Sequence, residues 1–127
     1  MAIKIDFEKA YDRIRWSFIR DTLIKMPLPL PLVEVICDCI SNCSISVLWN
    51  GVPTEAFKPT RGIRSGDPFS PYLFVICMER LAHVIEAAVL EKRWKSVIAS
   101  RGGPSISNLM FADDLVLFAE ASVEQAH

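Results

Sequence analysis

The sequence predicts an α+β fold in which helices stack on an antiparallel sheet. Three observations carry that expectation. Apolar and polar residues alternate in "AIKID" (2–6), as in a half-buried strand. Apolar residues recur at helical spacing in two long stretches, about 12–26 and 71–92. Asn50-Gly51 stands between β-type residues, the strongest short hairpin signal. The chain of 127 residues suffices for one domain with one core, and a hydrophobic content of 51% is ample for a folded protein.

In chain order, Ile3 and Ile5 of the first strand face one way, and Lys4 and Asp6 the other. Trp16, Ile19, Leu23 and Met26 form the apolar stripe of a helix over 12–26, with Arg13, Ser17 and Arg20 on its polar side. "PLPLP" (27–31) stops it, because proline cannot continue a helix interior. A second helix is expected over 32–42, then the Asn50-Gly51 hairpin, then a loop, "KPTRGIRSGDP" (58–68), rich in Gly, Pro and charge. Ser70-Pro71 reads as an N-cap and first helical residue. The long helix that follows, 71–92, carries a stripe of Leu73, Cys77, Leu81, Val84 and Ala88. "KSVIAS" (95–100) reads as a strand, "RGGPS" as a turn, and 105–111 with 115–119 as a closing hairpin.

The bulk properties exclude several classes. A formal net charge of −1 gives no global basic signature, so a polyanion has to be held locally or through metal ions. No apolar run reaches the roughly 18–20 residues that span a bilayer, so no membrane partner is expected. The N-terminus is neither a signal nor a transit peptide, and a reducing intracellular setting, nucleus or cytoplasm, is the default. Cys37, Cys39, Cys43 and Cys77 read as small buried hydrophobes rather than a zinc site, since neither His83 nor His127 is near them in sequence. The two distant histidines offer little basis for a His-centred triad, no GxxxxGKS/T phosphate loop is present, and Gly62, Gly66 and Asp67 make no dinucleotide fingerprint.

The chemistry concentrates in three carboxylates. "LMFADDLVLFAE" (109–120) sets Asp113 and Asp114 inside an apolar run, where an unpaired buried carboxylate costs several kcal/mol. Two readings stand: a tight turn capped by Asp, or a metal site at the same turn. Asp6 ends a strand that a sheet can bring alongside. Carboxylates converging at a sheet edge make a hard-oxygen site suited to Mg²⁺, and two such ions roughly 3.5–4 Å apart serve phosphoryl transfer.

Three motifs carry a resemblance. "KIDFEKAYDRIRW" (4–16) looks like motif A of the reverse transcriptases of LINE-type non-LTR retrotransposons, "GIRSGDPFSPYLF" (62–74) is similar to their motif B, and "FADDLVLF" (111–118) matches their F/Y-x-D-D box, motif C. Their order and spacing agree, and the segments between them resemble plant-type members, so the resemblance covers nearly the whole of 1–127 as one partial palm domain. It implies a polymerase palm, an antiparallel sheet with packed helices and without fingers or thumb. It also implies an RNA-directed DNA polymerase activity in the parent enzyme. Asp6, Asp113 and Asp114 would be the catalytic residues and hold two Mg²⁺, with Mn²⁺ a substitute. Tyr11 would be the steric gate that excludes a 2′-hydroxyl. Phe7, Glu8, Arg64, Ser65, Gly66, Asp67 and Pro68 would adjoin the incoming nucleotide, and Arg61 the nucleic acid. The partners implied are an RNA template, a DNA primer, deoxynucleoside triphosphates and the missing fingers and thumb segments.

Each assignment has a plainer counterpart. Asp6 merely ends a strand, Tyr11 is a core aromatic, Arg61 and Arg64 are solvated loop charges, and Asp67-Pro68 is turn chemistry before a helix. Asp12 reads as a helix cap rather than a ligand. Ser65 departs from the family's usual glutamine, whose longer amide reaches further. Motif A begins almost at Met1 and the chain ends shortly after motif C, so a truncated piece of a longer parent, inactive alone, is expected. Two other functions compete: a non-catalytic remnant of a degenerate retroelement that at most binds a partner, and a small Mg²⁺-dependent nuclease, which would have no use for the motif B loop.

Overall fold

The first strand, β1 (Ala2–Asp6), forms where the alternation places it. In the computed structural model of the chain, which describes residues 1–122 and Gln125, it is followed by α1 (Ala10–Arg13), α2 (Trp16–Ile24), α3 (Leu30–Ser41), β2 (Leu48–Trp49), β3 (Val52–Pro53), α4 (Ser70–Leu90), β4 (Val97–Ile98), β5 (Ser105–Ile106), β6 (Asn108–Phe111) and β7 (Asp114–Phe118). His127 lies outside the described residues. No helix among them is long and apolar enough to cross a membrane. The α+β expectation holds. The chain divides into two compact units, one of Met1–Glu8 with the segment from Met78 onward, the other of Lys9–Cys77.

The first unit is built on a three-stranded antiparallel sheet in the order β1-β7-β6. Ile5 lies opposite Leu115, and Leu115 opposite Met110, so these three share one face. Leu115 is buried and marks that face as the inner one. The sheet is closed at one end by a two-way bond between termini, in which Met1 N donates to the Ala119 carbonyl (2.7 Å) and Ala119 N–H to that of Met1 (3.0 Å). The Trp94 indole N–H donates to the Phe118 carbonyl at 2.8 Å, tying the segment after α4 to β7. The closing hairpin differs from the expected one: 105–111 is two strands, and β5 pairs with β4 (Val97 opposite Ile106), leaving only β6 to pair with β7. The expected strand in 95–100 is thus β4, and it captures Ser105 and Ile106.

The second unit holds the helices of the N-terminal half. Ile19 and Leu23 are buried as the stripe requires. The single helix expected over 12–26 is two, because Ile14 and Arg15 adopt extended backbone between α1 and α2. Tertiary hydrogen bonds win over helix continuity there. The Ile14 carbonyl accepts from Gly62 N–H (2.8 Å), the Tyr11 carbonyl from Ile63 N–H (2.8 Å), and the Trp16 indole donates to the Gly62 carbonyl (2.7 Å). Asp12 therefore sits inside α1 and caps nothing; the residue before the helix is Lys9. Arg20 and Glu34 join α2 to α3 by a bidentate ion pair that holds the Glu34 carboxyl below its ordinary range. Asn50 and Gly51 both have positive φ, the two-residue turn that matches strand twist.

α4 begins at Ser70, one residue earlier than its expected cap role allows, because the Asp67 carboxylate oxygen accepts from Phe69 N–H at 2.8 Å and turns the chain into the helix. Leu73 and Cys77 of the expected stripe are buried, with Phe74 beside them, whereas Val84 is exposed. Cys39, expected to be buried, is exposed as well, and the thiol of half-buried Cys37 is pushed up by burial.

Gly62 is the most closely approached glycine of the second unit. Its φ is +91°, and a Cβ there would lie 2.9 Å from the Asp12 carbonyl oxygen. Gly62→Ala is expected to cost about 1–3 kcal/mol of stability, read as a lower urea midpoint; an unchanged midpoint would show that the loop shifts freely.

Candidate functional site

The first unit brings the three aspartates to one end of its sheet. Asp6, the last residue of β1, lies directly opposite Asp114, the first of β7, and Asp114 lies opposite Phe111 of β6. Asp113 occupies the two-residue turn between β6 and β7 with Ala112. Residues directly opposite on adjacent strands project to the same side. Asp6 and Asp114 thus share the outer face, away from Ile5 and Leu115. This answers the apparent anomaly of the apolar run: period 2 sends Leu115 inward and Asp114 outward, and the turn leaves Asp113 in solvent, so Asp6 and Asp113 are exposed and Asp114 is half-buried.

The neighbouring backbone extends the pairing. Phe7 N–H donates to the Asp113 carbonyl at 3.3 Å, and Glu8 N–H donates to that of Asp6 at 3.1 Å. Lys4, two residues before Asp6 and on its face, places Nζ 3.0 Å from Asp114 Oδ1. The Lys4 ammonium is held above its ordinary value, first by that hydrogen bond and the Asp114 charge, and in smaller measure by the charges of Asp6 and Asp113. Reading the sequence as a list of ligands missed Lys4, although its alternation with Asp6 carried the signal. Phe111 was also missed; it is 84% exposed on the same face.

As a donor set the three carboxylates fit a hard divalent cation, and the Lys4 ammonium pairs with the Asp114 carboxylate. Their side chains are not gathered into a ligand cluster: among the described residues, no three His, Cys, Asp or Glu groups stand close enough to hold a metal ion.

The remaining candidates belong to the second unit. Tyr11 on α1 is half-buried, its ring stacked on that of Phe74 with centroids 4.7 Å apart and planes 20° apart. The 58–68 loop borders a cavity of about 750 Å³ with the end of α3; Arg61, Arg64, Ser65, Gly66 and Asp67 line it beside Cys39, Ile40 and Cys43. Arg61, Arg64, Ser65, Gly66 and Pro68 are exposed. Arg64 donates to the Ser44 carbonyl at 3.4 Å. Asp67 makes the turn into α4 described above, so its turn role is real whatever else it does.

Comparison with known proteins fits these motifs. Residues 1–127 match the family described as "Reverse transcriptase (RNA-dependent DNA polymerase)". The chain is 36% identical over 117 residues to the retrovirus-related Pol polyprotein from the type-2 retrotransposable element R2DM of Drosophila melanogaster, covering 91% of the chain and 10% of that protein. It is 34% identical over 116 residues to the Pol polyprotein from the type-1 retrotransposable element R2 of Nasonia vitripennis, again 91% of the chain and 10% of the relative. An uncharacterized mitochondrial protein of Arabidopsis thaliana is 43% identical over 65 residues, 51% of the chain and 53% of that protein. The chain thus spans about a tenth of the length of the retrotransposon relatives. A solved structure of apo telomerase from Candida tropicalis, truncated from the C-terminal domain, superposes with a TM-score of 0.69 at 15% identity, covering 98% of the chain and 25% of its own length. That likeness is one of fold.

The turn that carries Asp113 is strained at Ala112, whose φ is +51°. Left-handed backbone costs a non-glycine residue roughly 1–2 kcal/mol, and glycine gives back about 0.5–1 in the unfolded chain. Ala112→Gly is therefore expected to stabilise the chain by about 0.5–1 kcal/mol. Chemical denaturation checks it, and a lower midpoint would mean that the Ala112 methyl makes contacts worth more than the strain.

Proposed function

Because the chain belongs to the reverse transcriptase family, we propose that it is the palm segment of an RNA-directed DNA polymerase of the non-LTR retrotransposon type, with Asp6, Asp113 and Asp114 as its catalytic carboxylates. The observation that supports this reading most is the strand register: Asp6 opposite Asp114, with Asp113 in the adjoining turn. Two Mg²⁺ ions held by these carboxylates, or Mn²⁺ in their place, would activate the attacking oxygen of a DNA primer and stabilise the leaving oxygen of a deoxynucleoside triphosphate. The protein's part is to present acceptor oxygens from one end of a hydrogen-bonded sheet, whose side chains would turn together around the ions.

The other candidates follow from the same assignment. Tyr11, steadied by Phe74, excludes a 2′-hydroxyl by bulk. Arg61 and Arg64 supply local positive charge to phosphates of template or nucleotide in a chain whose net charge is −1. Ser65, Gly66, Asp67 and Pro68 form the nucleotide-side loop, and Phe7 and Glu8 the backbone beside the triphosphate. Residues 1–127 act as a single partial palm domain. Polymerisation also demands that primer, template and triphosphate be aligned, a contribution worth roughly 7–11 kcal/mol of barrier. The family resemblance assigns that work to fingers and thumb, so these 127 residues do not extend a primer on their own.

The test has two arms. Primer extension on an RNA template by the 127-residue chain with Mg²⁺ or Mn²⁺ is expected to give no product; extension that Asp113→Asn abolishes would show the segment to be an enzyme by itself. Placed in the corresponding position of an intact R2-type polymerase, the segment is expected to support extension, with Asp6→Asn or Asp113→Asn lowering the rate by about 10²–10³ or more. A chimera that folds and works equally well with both substitutions would overturn the assignment.

In the same chimera Tyr11→Ala is expected to raise ribonucleotide incorporation relative to deoxyribonucleotide. Unchanged discrimination would remove the gate role and leave Tyr11 as a packing residue on Phe74.

A further inference from the structure

The hairpin of β2 and β3 has two edges of different character. Ile45 exchanges both backbone bonds with Phe57, at 2.9 and 2.8 Å, and Thr54 N–H donates to the Val47 carbonyl at 2.8 Å. Val47 N–H donates to Thr54 Oγ1 at 3.0 Å, and Trp49 stands opposite Val52 beside the two-residue turn. Ile45, Val47 and Trp49 therefore direct their backbone groups into the hairpin, and alternation turns those of Ser46 and Leu48 to the outer edge of β2. Among the described residues neither Ser46 nor Leu48 has a hydrogen-bond partner on that side, while the Ser44 carbonyl, next along, accepts from Arg64 at 3.4 Å. The edge of β3 is closed. Pro53 stands opposite Leu48 and has no N–H to offer, and Glu55 and Ala56 bulge against the single Ser46. Proline, a bulge and a charge are devices that keep edges from pairing. The edge of β2 carries none of them, and residues 44–54 hold no charged side chain.

We propose that the outer edge of β2 is a pairing surface for a second copy of this chain, the two hairpins joining antiparallel about a two-fold axis at Leu48. The segment is complementary to itself in that register. Leu48 faces Leu48 of the other copy, and the pair exchanges both N–H···O bonds. Val47 of each copy then falls opposite Trp49 of the other, at pairs without hydrogen bonds, where side chains come closest. An aromatic against a β-branched residue is a favoured cross-strand pair, and the two-fold axis makes it twice. Trp49 is 72% exposed and Val52, opposite it within the hairpin, 66%, so the joined face continues an apolar strip that already stands in solvent. An isolated two-stranded ribbon is marginal in water, whereas three or more strands with an apolar face can be stable. Neutrality matters as well, because a two-fold axis brings each charge near its own copy. A contact of two short strands buries less than about 1,200 Å², so the dimer forms reversibly and with concentration. The inference is independent of the carboxylates of the first unit.

Sedimentation equilibrium of the full 127-residue chain over a concentration series reads the association, and a monomer–dimer equilibrium is expected. Trp49→Lys, which puts a cation on the joined face, is expected to weaken it about tenfold or more. Leu48→Pro removes the outward N–H without touching a bond inside the hairpin, and is expected to weaken it likewise. Leu90→Lys, at an exposed apolar position on α4, is expected to leave it unchanged. Circular dichroism confirms that each variant is folded. Amide exchange gives a second readout that needs no variant: the Leu48 N–H is expected to gain protection as the chain is concentrated. A chain that stays monomeric, a dimer that folded Trp49→Lys and Leu48→Pro both leave intact, or equal weakening by Leu90→Lys would overturn the proposal. So would a Leu48 amide whose exchange ignores concentration, or an edge taken by a strand of a different protein while the chain itself stays monomeric.

Discussion

The antiparallel pairing of β1 with β7 is the constraint from which the candidate site follows. Side chains alternate strictly along a strand, so a slip of one residue would exchange the two faces completely. The inner face fixes the register. Leu115 is buried and lies between Ile5 and Met110, and reversing its direction would expose an apolar side chain worth about 1.5–3 kcal/mol of burial. The same register leaves Asp6 no choice but to stand opposite Asp114. Like charges directly opposite on neighbouring strands destabilise the pairing. Burial and the ladder bonds outweigh that repulsion, and Lys4 reduces it further. The acidic end of the sheet is thus carried by its hydrophobic side.

The second unit shows the same dependence of chemistry on packing. Gly62 lies against the Asp12 backbone, and the bonds from Gly62 and Ile63 to Ile14 and Tyr11 fasten the 58–68 loop to the break between α1 and α2. That contact fixes the start of the charged loop relative to the ring of Tyr11, which Phe74 then holds flat. The exposed residues of that loop are therefore placed by a glycine and two backbone carbonyls. Fixing a loop at its ends while leaving Arg61, Arg64 and Ser65 exposed combines defined geometry with access.

What the sequence made legible is what local physics decides. β1 is a clean two-residue alternation, α3 and α4 follow apolar periodicity bounded by prolines, and Asn50-Gly51 demands its turn. The meeting of Asp6 with Asp113 and Asp114 at one sheet end was legible, because an anion pair inside an apolar run needs a reason and the strand that Asp6 ends can lie alongside it. The failures share a cause. The break at Ile14 and Arg15 comes from a glycine 48 residues further on, counted from Ile14 to Gly62, and no window of helical periodicity contains it. The division of 105–111 between two partners depends on where β4 lies. Asp67 was readable as a turn former, but that its carboxylate would bond Phe69 N–H and start α4 at Ser70 is a choice among competing local bonds.

The two faces of the sheet also differ in what they ask of evolution. An inner position such as Leu115 accepts many apolar residues of similar volume, and cores keep their fold through wide substitution of that kind. An outer position such as Asp6 is defined by charge rather than by volume, since a carboxylate supplies two hard anionic oxygens on a short stem. Fold likeness can therefore persist at low identity, as it does with the telomerase structure, while the motifs remain readable. Lys4 falls between these cases. It is exposed, and it pairs with the Asp114 carboxylate across the strands. Its part at the sheet end is that of a charge, offsetting one of the carboxylates that the register brings there.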